Sequence, residues 1–282
     1  MAKPRFFIEN FYNTFQFSGH DIATYTTTPR TGFEAYSVAN DRRDPYDYYT
    51  PSSTNVQCDL IVACGTSRQA DMIAIDRVNN LAGLTVSLAG DDNASFTSPS
   101  SIFSITFPSS YVDDDDLTAS PGVLTKEGAW LYAFGDNTHQ YWRVRISAPG
   151  SGLRQRVGGL WLGKSYTPTL YLDQPFEDDL IQSRREERVS DTAWVAATRG
   201  AKRRVGTVRL KMADDSEYDT ASYHFQDLFQ DPYGMWMVFD QEEAENAVFA
   251  YPQQGTHGFP QKPGWYYRQA EIPWYEHMPA VS

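Results

Sequence analysis

Hydrophobic and polar positions alternate with a period of two in several stretches of the chain. Leu84, Val86 and Leu88 alternate with Thr85 and Ser87, and Phe103, Ile105 and Phe107 with Ser104 and Thr106. Trp142, Val144 and Ile146 alternate with Arg143 and Arg145, and Val208, Leu210 and Met212 with Arg209 and Lys211. Side chains point to opposite faces of a strand in turn, so each run predicts a strand with one buried and one wet face. Half-buried strands belong to antiparallel sheets. The turn-forming clusters Ala89-Gly-Asp-Asp-Asn93, Pro108-Ser-Ser, Ala148-Pro-Gly-Ser-Gly152 and Pro260-Gln-Lys-Pro-Gly264 punctuate them. Many short strands with such punctuation predict a sandwich or barrel.

One segment has helical spacing instead. Asp219 or Thr220 is placed to cap a helix whose Ala221, Phe225, Leu228 and Phe229 share a face, and Asp231-Pro232 ends it. The strand Gly234-Met-Trp-Met-Val-Phe239 follows at once, so a strand, a helix and a strand are expected over roughly 203–212, 220–230 and 234–240. A short helical turn is also expected near Asp178–Arg188. A boundary is expected near residues 165–190. Before it, Gly158-Gly-Leu-Trp-Leu-Gly-Lys-Ser165 reads as a last strand; after it, charge density rises through residues 176–188.

The predicted organisation is therefore an N-terminal segment 1–19 that pairs with the C-terminal unit, a β-sandwich over 20–165, a linker over 166–190, and a strand-helix-strand unit over 191–282. The fold class expected is mainly β: an antiparallel β-sandwich plus a smaller β-sheet unit with one packed helix.

Composition narrows the functional classes. With 36 acidic against 24 basic residues the net charge is -12, which gives no electrostatic help toward a phosphate backbone, and no nucleic-acid partner is expected. The basic run Arg199-Gly-Ala-Lys202-Arg203-Arg204 is short and reads as a turn or an interface. Apolar runs such as Leu60-Ile61-Val62-Ala63-Cys64 are too short to cross a bilayer, so no membrane insertion is expected. The N-terminus lacks an apolar core of signal-peptide length, which points to a chain made and initially kept in a cytoplasm. Cys58 and Cys64 flank one apolar run, and six residues of strand span about 20 Å, too far for a disulfide. They are read as buried free thiols.

The chain is rich in aromatic residues, with 18 Tyr, 16 Phe and 7 Trp. Tyr and Trp bury large areas while keeping a polar tip, which suits sheet cores, subunit interfaces and sugar-binding faces. The loop Arg42-Arg43-Asp-Pro-Tyr46-Asp-Tyr48-Tyr49 combines stacking rings with donors. Arg42, Arg43, Tyr46, Tyr48 and Tyr49 are thus the candidate contacts, to a glycan or to a neighbouring subunit. Trp265-Tyr-Tyr-Arg268 and Trp274-Tyr275 read as a strand and a docked terminal segment.

Catalytic patterns are missing from the sequence. It has no Gly-x-Ser-x-Gly elbow, phosphate loop or His-Glu-x-x-His. The glycines of Val157-Gly-Gly-Leu160 precede a strand, so no dinucleotide site follows. His20, His139, His224, His257 and His277 are scattered and read as structural or surface histidines. Spacing alone selects no carboxylate pair for glycoside hydrolysis. Asp113–Asp116 lacks the Gly and terminal Glu of a helix-loop-helix calcium site. No catalytic residue, cofactor or metal ligand is predicted.

Residues 20–165 resemble the discoidin-like, galactose-binding type of β-sandwich. The resemblance lies in Gln57-Cys-Asp-Leu-Ile-Val, in the strand, turn, strand and tip loop from Asp71 to Asn93, and in the closing strands Tyr141-Trp-Arg-Val-Arg-Ile146 and Gly159-Leu-Trp-Leu-Gly163. Such domains bind glycans or lipid head groups through loops at one end and sometimes hold a structural calcium ion. The combination with a strand-helix-strand unit resembles tailed-bacteriophage distal tail or baseplate proteins. In those proteins a tail-tube-like sheet with one helix forms a ring, and a galectin- or discoidin-like jelly roll decorates its outside. That resemblance implies a virion structural protein, assembled in the host cytoplasm. Its partners would be other copies of itself in a ring, the tail tube, and hub or receptor-binding proteins, with surface glycans as further ligands. The usual distal tail protein places its ring domain first. Here the sandwich comes first, unless it is inserted in a ring domain built from both chain ends. The alternative implied is a carbohydrate-binding receptor-recognition or adaptor module.

Overall fold

The computed structural model describes residues 4–13, 19–24, 29–32, 34, 38, 48–76, 83–107, 117–118, 121–125, 128–150, 152–169, 177–181, 184–190, 193–198, 203–212, 214–230, 234–252 and 268–276. The chain divides into two compact units, Met1–Thr167 with Met235–Val248 and Pro279–Ser282, and Pro168–Gly234 with Phe249–Met278. As the sequence leads one to expect, the fold is mainly β with antiparallel pairing, and the described residues contain one α-helix.

Two long strands organise the first unit. β3 (Cys58–Asp76) and β7 (Ala129–Ile146) pair antiparallel from Cys58↔Ile146 to Asp76↔Ala129, with register shifts between Ala63 and Arg68 and between Ala70 and Met72. One arm of this ribbon joins β2 (Asp21–Thr24), β4 (Thr85–Asp91) and β5 (Ser100–Thr106) in the order β2-β3-β7-β4-β5. The other arm pairs with β6 (Val123–Leu124) and β8 (Gly159–Gly163). The two arms share one core. Leu60, Val62, Val86, Leu88, Phe103, Ile105, Trp142, Val144 and Ile146 from the first pack with Ile73, Ile75, Trp130, Leu160 and Leu162 from the second. All are buried, as the alternation demands, while Thr85, Ser87, Arg143 and Arg145 stay partly exposed on the opposite face.

The outer face of the second arm is buried too. Trp161 meets Trp236 edge to face, with ring centroids 5.8 Å apart at 89°. Trp236 belongs to β14 (Met235–Val238), which pairs with β1 (Arg5–Phe7) in the register Arg5↔Val238, Phe6↔Met237 and Phe7↔Trp236. β1 also pairs with β9 (Ser165–Tyr166). Residues that precede and follow the sandwich strands in sequence thus lie side by side in one sheet.

In the second unit, β10 (Glu177–Ile181) pairs with β13 (Arg203–Met212), β13 with β16 (Arg268–Glu276), and β16 with β15 (Val248–Pro252). β11 (Arg184–Ser190) and β12 (Ala193–Thr198) form a separate hairpin with an irregularity between Arg188 and Ser190. The helical turn expected near Asp178–Arg188 is therefore corrected to β10 and β11. Backbone hydrogen bonds to β13 and β12 satisfy the segment, and they prevail over its charged, helix-favouring composition.

α1 (Asp215–Gln230) begins four residues before the expected cap. Asp214 caps it, its Oδ1 accepting the Glu217 N–H at 2.8 Å. Asp215 and Glu217 place negative charge at the positive end of the helix dipole. The earlier start adds Tyr218 to the buried face with Ala221 and Phe225.

Candidate functional site

At one end of the sandwich three segments converge: the bend of β3 at Gly65–Arg68, the loop from β4 to β5 at Asp91–Ser98, and the bend of β7 at Gly135–Gln140. The loop is tied internally by its own side chains. Asp91 accepts the N–H of Asn93 at 3.0 Å on Oδ1 and that of Ser98 at 3.2 Å on Oδ2, while Asn93 Oδ1 accepts the Ser95 N–H at 2.8 Å. Short Asp and Asn side chains that bond the backbone two residues on are a turn-stabilising device, and this sequence uses it twice in succession.

The loop is also tied to both bends. Asp92 Oδ1 accepts the Gln140 N–H at 3.0 Å and the Ser67 hydroxyl at 3.5 Å, and Gln140 Nε2 donates to the Gly65 carbonyl at 2.9 Å. Phe96 anchors it from beneath. Its φ of 48° is left-handed, a conformation disfavoured for an aromatic residue. The ring is nonetheless buried, with the Arg143 guanidinium 4.6 Å from its centroid. Below, the His139 ring rests on Gly90, where an added Cβ would lie 2.0 Å from the imidazole.

The resulting edge exposes Thr66, Ser67, Gln69, Asp92, Asn93, Ser95, Thr97 and Ser98. Tyr141, opposite Asp91 in the register, lies beside it partly exposed. These groups offer hydroxyls, amides and one carboxylate on a pre-formed frame. They suit hydrogen bonding to a ligand rich in hydroxyl groups. Among the described residues no group of three or more His, Cys, Asp or Glu is arranged to hold a metal ion.

The candidate residues from the sequence fall elsewhere. Arg42, Arg43 and Tyr46 lie outside the described residues. Tyr48 is half-buried, with the Arg156 guanidinium 5.2 Å from its ring centroid. Tyr49 is corrected from a contact residue to a core residue. It is fully buried, its N–H and C=O pair with Val157, and it hydrogen-bonds with the Cys58 thiol. The tip loop itself was legible as turn chemistry in Ala89–Asn93. Its link to Ser67 and Gln140, 25 and 48 positions from Asp92, was not.

The histidines have structural settings. His20 is buried with Nδ1 3.0 Å from the Phe11 carbonyl, His139 lies against Trp142, and His224 packs edge-on to Tyr223. His257, His277 and the acidic run Asp113–Asp116 lie outside the described residues.

No protein-family model matches the sequence, and no curated protein matches it either. Solved structures similar to the chain include the family 32 CBM of C. perfringens NanJ in complex with galactose. The identity is 12% and the TM-score 0.39, over 57% of this chain and 99% of that one. Another is chitosan-binding module 1 of a chitosanase/glucanase from Paenibacillus, at 14% identity and TM-score 0.39, over 52% of this chain and 96% of that one. A third is a Ruminococcus gnavus GH29 fucosidase in complex with fucose, at 12% identity and TM-score 0.40 over 56% of this chain. The chain spans 27% of the length of that fucosidase.

Proposed function

We propose that this chain is a non-catalytic glycan-recognition module of discoidin-like type, with its contact edge at the tip formed by residues 65–69, 91–98 and 136–143. The observation that carries the reading is the pre-organised loop. Asp91 and Asn93 hold its backbone, and Asp92 fixes it to Gln140 and Ser67. A polar surface that is already ordered gives up little conformational entropy when it hydrogen-bonds a sugar. Titration calorimetry with galactose, N-acetylhexosamine and glucosamine oligosaccharides tests the reading. Binding to at least one, weakened tenfold or more by Asp92→Ala with Gln140→Ala, is the expected result. Absence of binding to all three classes sinks it.

A second reading is favoured by the pairing of β1 with β14. A strand before the sandwich that pairs with a strand well after it fits a scaffold into which the sandwich is inserted. On that reading the chain is a virion structural protein of a phage tail tip, forming a homo-oligomeric ring between the tail tube and hub or receptor-binding proteins. Head-to-tail interfaces around a closed ring would be required. Electron microscopy of the purified protein decides it: closed rings support the structural role, and uniformly monomeric particles count against it.

A further inference from the structure

A cluster of six charged side chains surrounds the segment that follows β1. Ile8, Phe11 and Tyr12 are buried, and the Phe11 N–H donates to the Leu162 carbonyl at 2.8 Å, so the segment runs along β8 as a strap. Its backbone comes so close that a Cβ on Gly163 would lie 2.6 Å from the Glu9 carbonyl oxygen. Between these attachments sits Glu9, whose Oε2 accepts the Lys164 N–H at 3.3 Å.

The ammonium of Lys164 is engaged by other carboxylates. It meets Asp71 Oδ2 at 2.9 Å and also Asp136. Asp71 in turn takes the Ser165 N–H on Oδ1 at 2.7 Å. Arg5 from β1 and Arg68 from β3 complete the cluster electrostatically, Arg5 near Asp71 and Asp136 and Arg68 near Glu9. What Lys164 gives Glu9 is its backbone N–H and a share of its charge. An ionised Glu9 stands beside Asp71 in a mostly buried place.

We propose that residues 8–12 form a proton-gated strap, closed against β8 while Glu9 is uncharged and opening locally when Glu9 ionises. The physical cause is desolvation. Burial lifts the Glu9 carboxyl from 4.5 to about 7 and Asp71 adds to the rise, while the Lys164 N–H and the charges of Arg68 and Lys164 oppose it.

Burial lowers the Arg5 value, which Asp71 and Asp136 partly restore. For Lys164 burial works downward, but the hydrogen bonds and charges of Asp136 and Asp71 outweigh it and raise the value. Burial holds His20, which touches Phe11, below its usual value, with the Phe11 carbonyl opposing the shift.

The sign follows from linkage. A carboxyl whose value is higher in the closed than in the open state binds more protons when closed. The closed state is therefore favoured below about pH 4.5 and progressively loses that advantage up to about pH 7.

Amide hydrogen exchange of the full chain between pH 5 and 8.5 reads this directly. The protection factor of the Phe11 amide, with the intrinsic pH dependence divided out, is expected to fall roughly seventyfold over this range. Protection in β4 stays level, and Glu9→Gln removes the fall. A level Phe11 amide, an equal fall in β4, or a fall that persists in Glu9→Gln overturns the proposal. If Glu9→Gln does not fold, the carboxyl carbon of Glu9 is titrated by NMR in the unmodified chain. A midpoint above about pH 6 supports the gate, and one below it overturns it.

Discussion

The imidazole of His139 lies edge-on to the indole of Trp142, with ring centroids 5.2 Å apart at 79°, and covers the backbone of Gly90. Neither His139 Nδ1 nor Trp142 Nε1 has a hydrogen-bond partner among the described residues. The contact is therefore one of packing. Trp142 is fully buried and leaves the imidazole no room to retreat inward.

Gly90→Ala should accordingly destabilise the protein. The new methyl group would stand 2.0 Å from the His139 ring, and overpacking of this kind costs about 1–3 kcal/mol. Urea denaturation of Gly90→Ala and of Gly90→Ala with His139→Ala checks it. The second substitution should recover part of the loss, because it removes the ring that the methyl group meets.

Arg145 and Asp59 should respond unequally to substitution. The guanidinium Nε and Nη2 reach Asp59 Oδ1 and Oδ2 at 2.7 and 3.0 Å, and Gln57 Nε2 adds a third donor at 3.1 Å. The Arg145 side chain is 35% exposed and that of Asp59 is 0%. Arg145→Ala strips a buried carboxylate of a cationic partner and should cost about 3 kcal/mol, the low end for a buried pair because the guanidinium is partly exposed. Asp59→Asn leaves a cation that water can reach and should cost less. Denaturant midpoints of the two variants give the comparison, and equal losses would contradict it.

The two thiols should be inert in the folded protein. Burial pushes the Cys64 thiol up to about 12, with Arg68 opposing the rise. Burial, with the neighbouring Asp59, drives Cys58 higher still, against the hydrogen bond from Tyr49. Only the thiolate reacts, so an aromatic disulfide reagent at pH 8 should label neither cysteine until denaturant is added.

Asp214→Ala removes the side-chain acceptor for the Glu217 N–H and should cost about 1 kcal/mol. Asp219→Ala, at the cap position that the sequence favours, lies within α1 and should cost much less. The thermal midpoints of the two variants separate the assignments.

That contrast shows where local pattern succeeds. The alternations at Leu84–Leu88, Phe103–Phe107, Trp142–Ile146 and Val208–Met212 predict strands because burial of one face is written in every second residue. Each of those inward positions is buried. The helix was visible through Ala221 and Phe225, but its first turn was not. Asp214 to Tyr218 carries one apolar side chain among polar ones, and its identity as a cap depends on Tyr218 finding a core to enter.

The tip was legible only in part, for a similar reason. Asp91 and Asn93 bond residues close in sequence, so their turn chemistry shows in the residue types. Asp92 gains its meaning from Ser67 and Gln140, which no spacing along the chain connects to it. Tyr49 carried the opposite error. An aromatic residue in a loop rich in Arg and Tyr suggested a contact surface, yet pairing with Val157 turns it into the core.

β3 and β7 run through both arms of the sandwich, and this makes the two arms a single cooperative body. Neither arm can separate from the other without breaking the ribbon they share, so melting by circular dichroism and by tryptophan fluorescence should coincide for this unit. The same ribbon joins distant parts of the sequence, Asp59 and Arg145 being 86 positions apart. The ends of that loop must find each other before β3 and β7 can pair. Folding of this unit is therefore expected to be slow, set by a search for one long-range pairing.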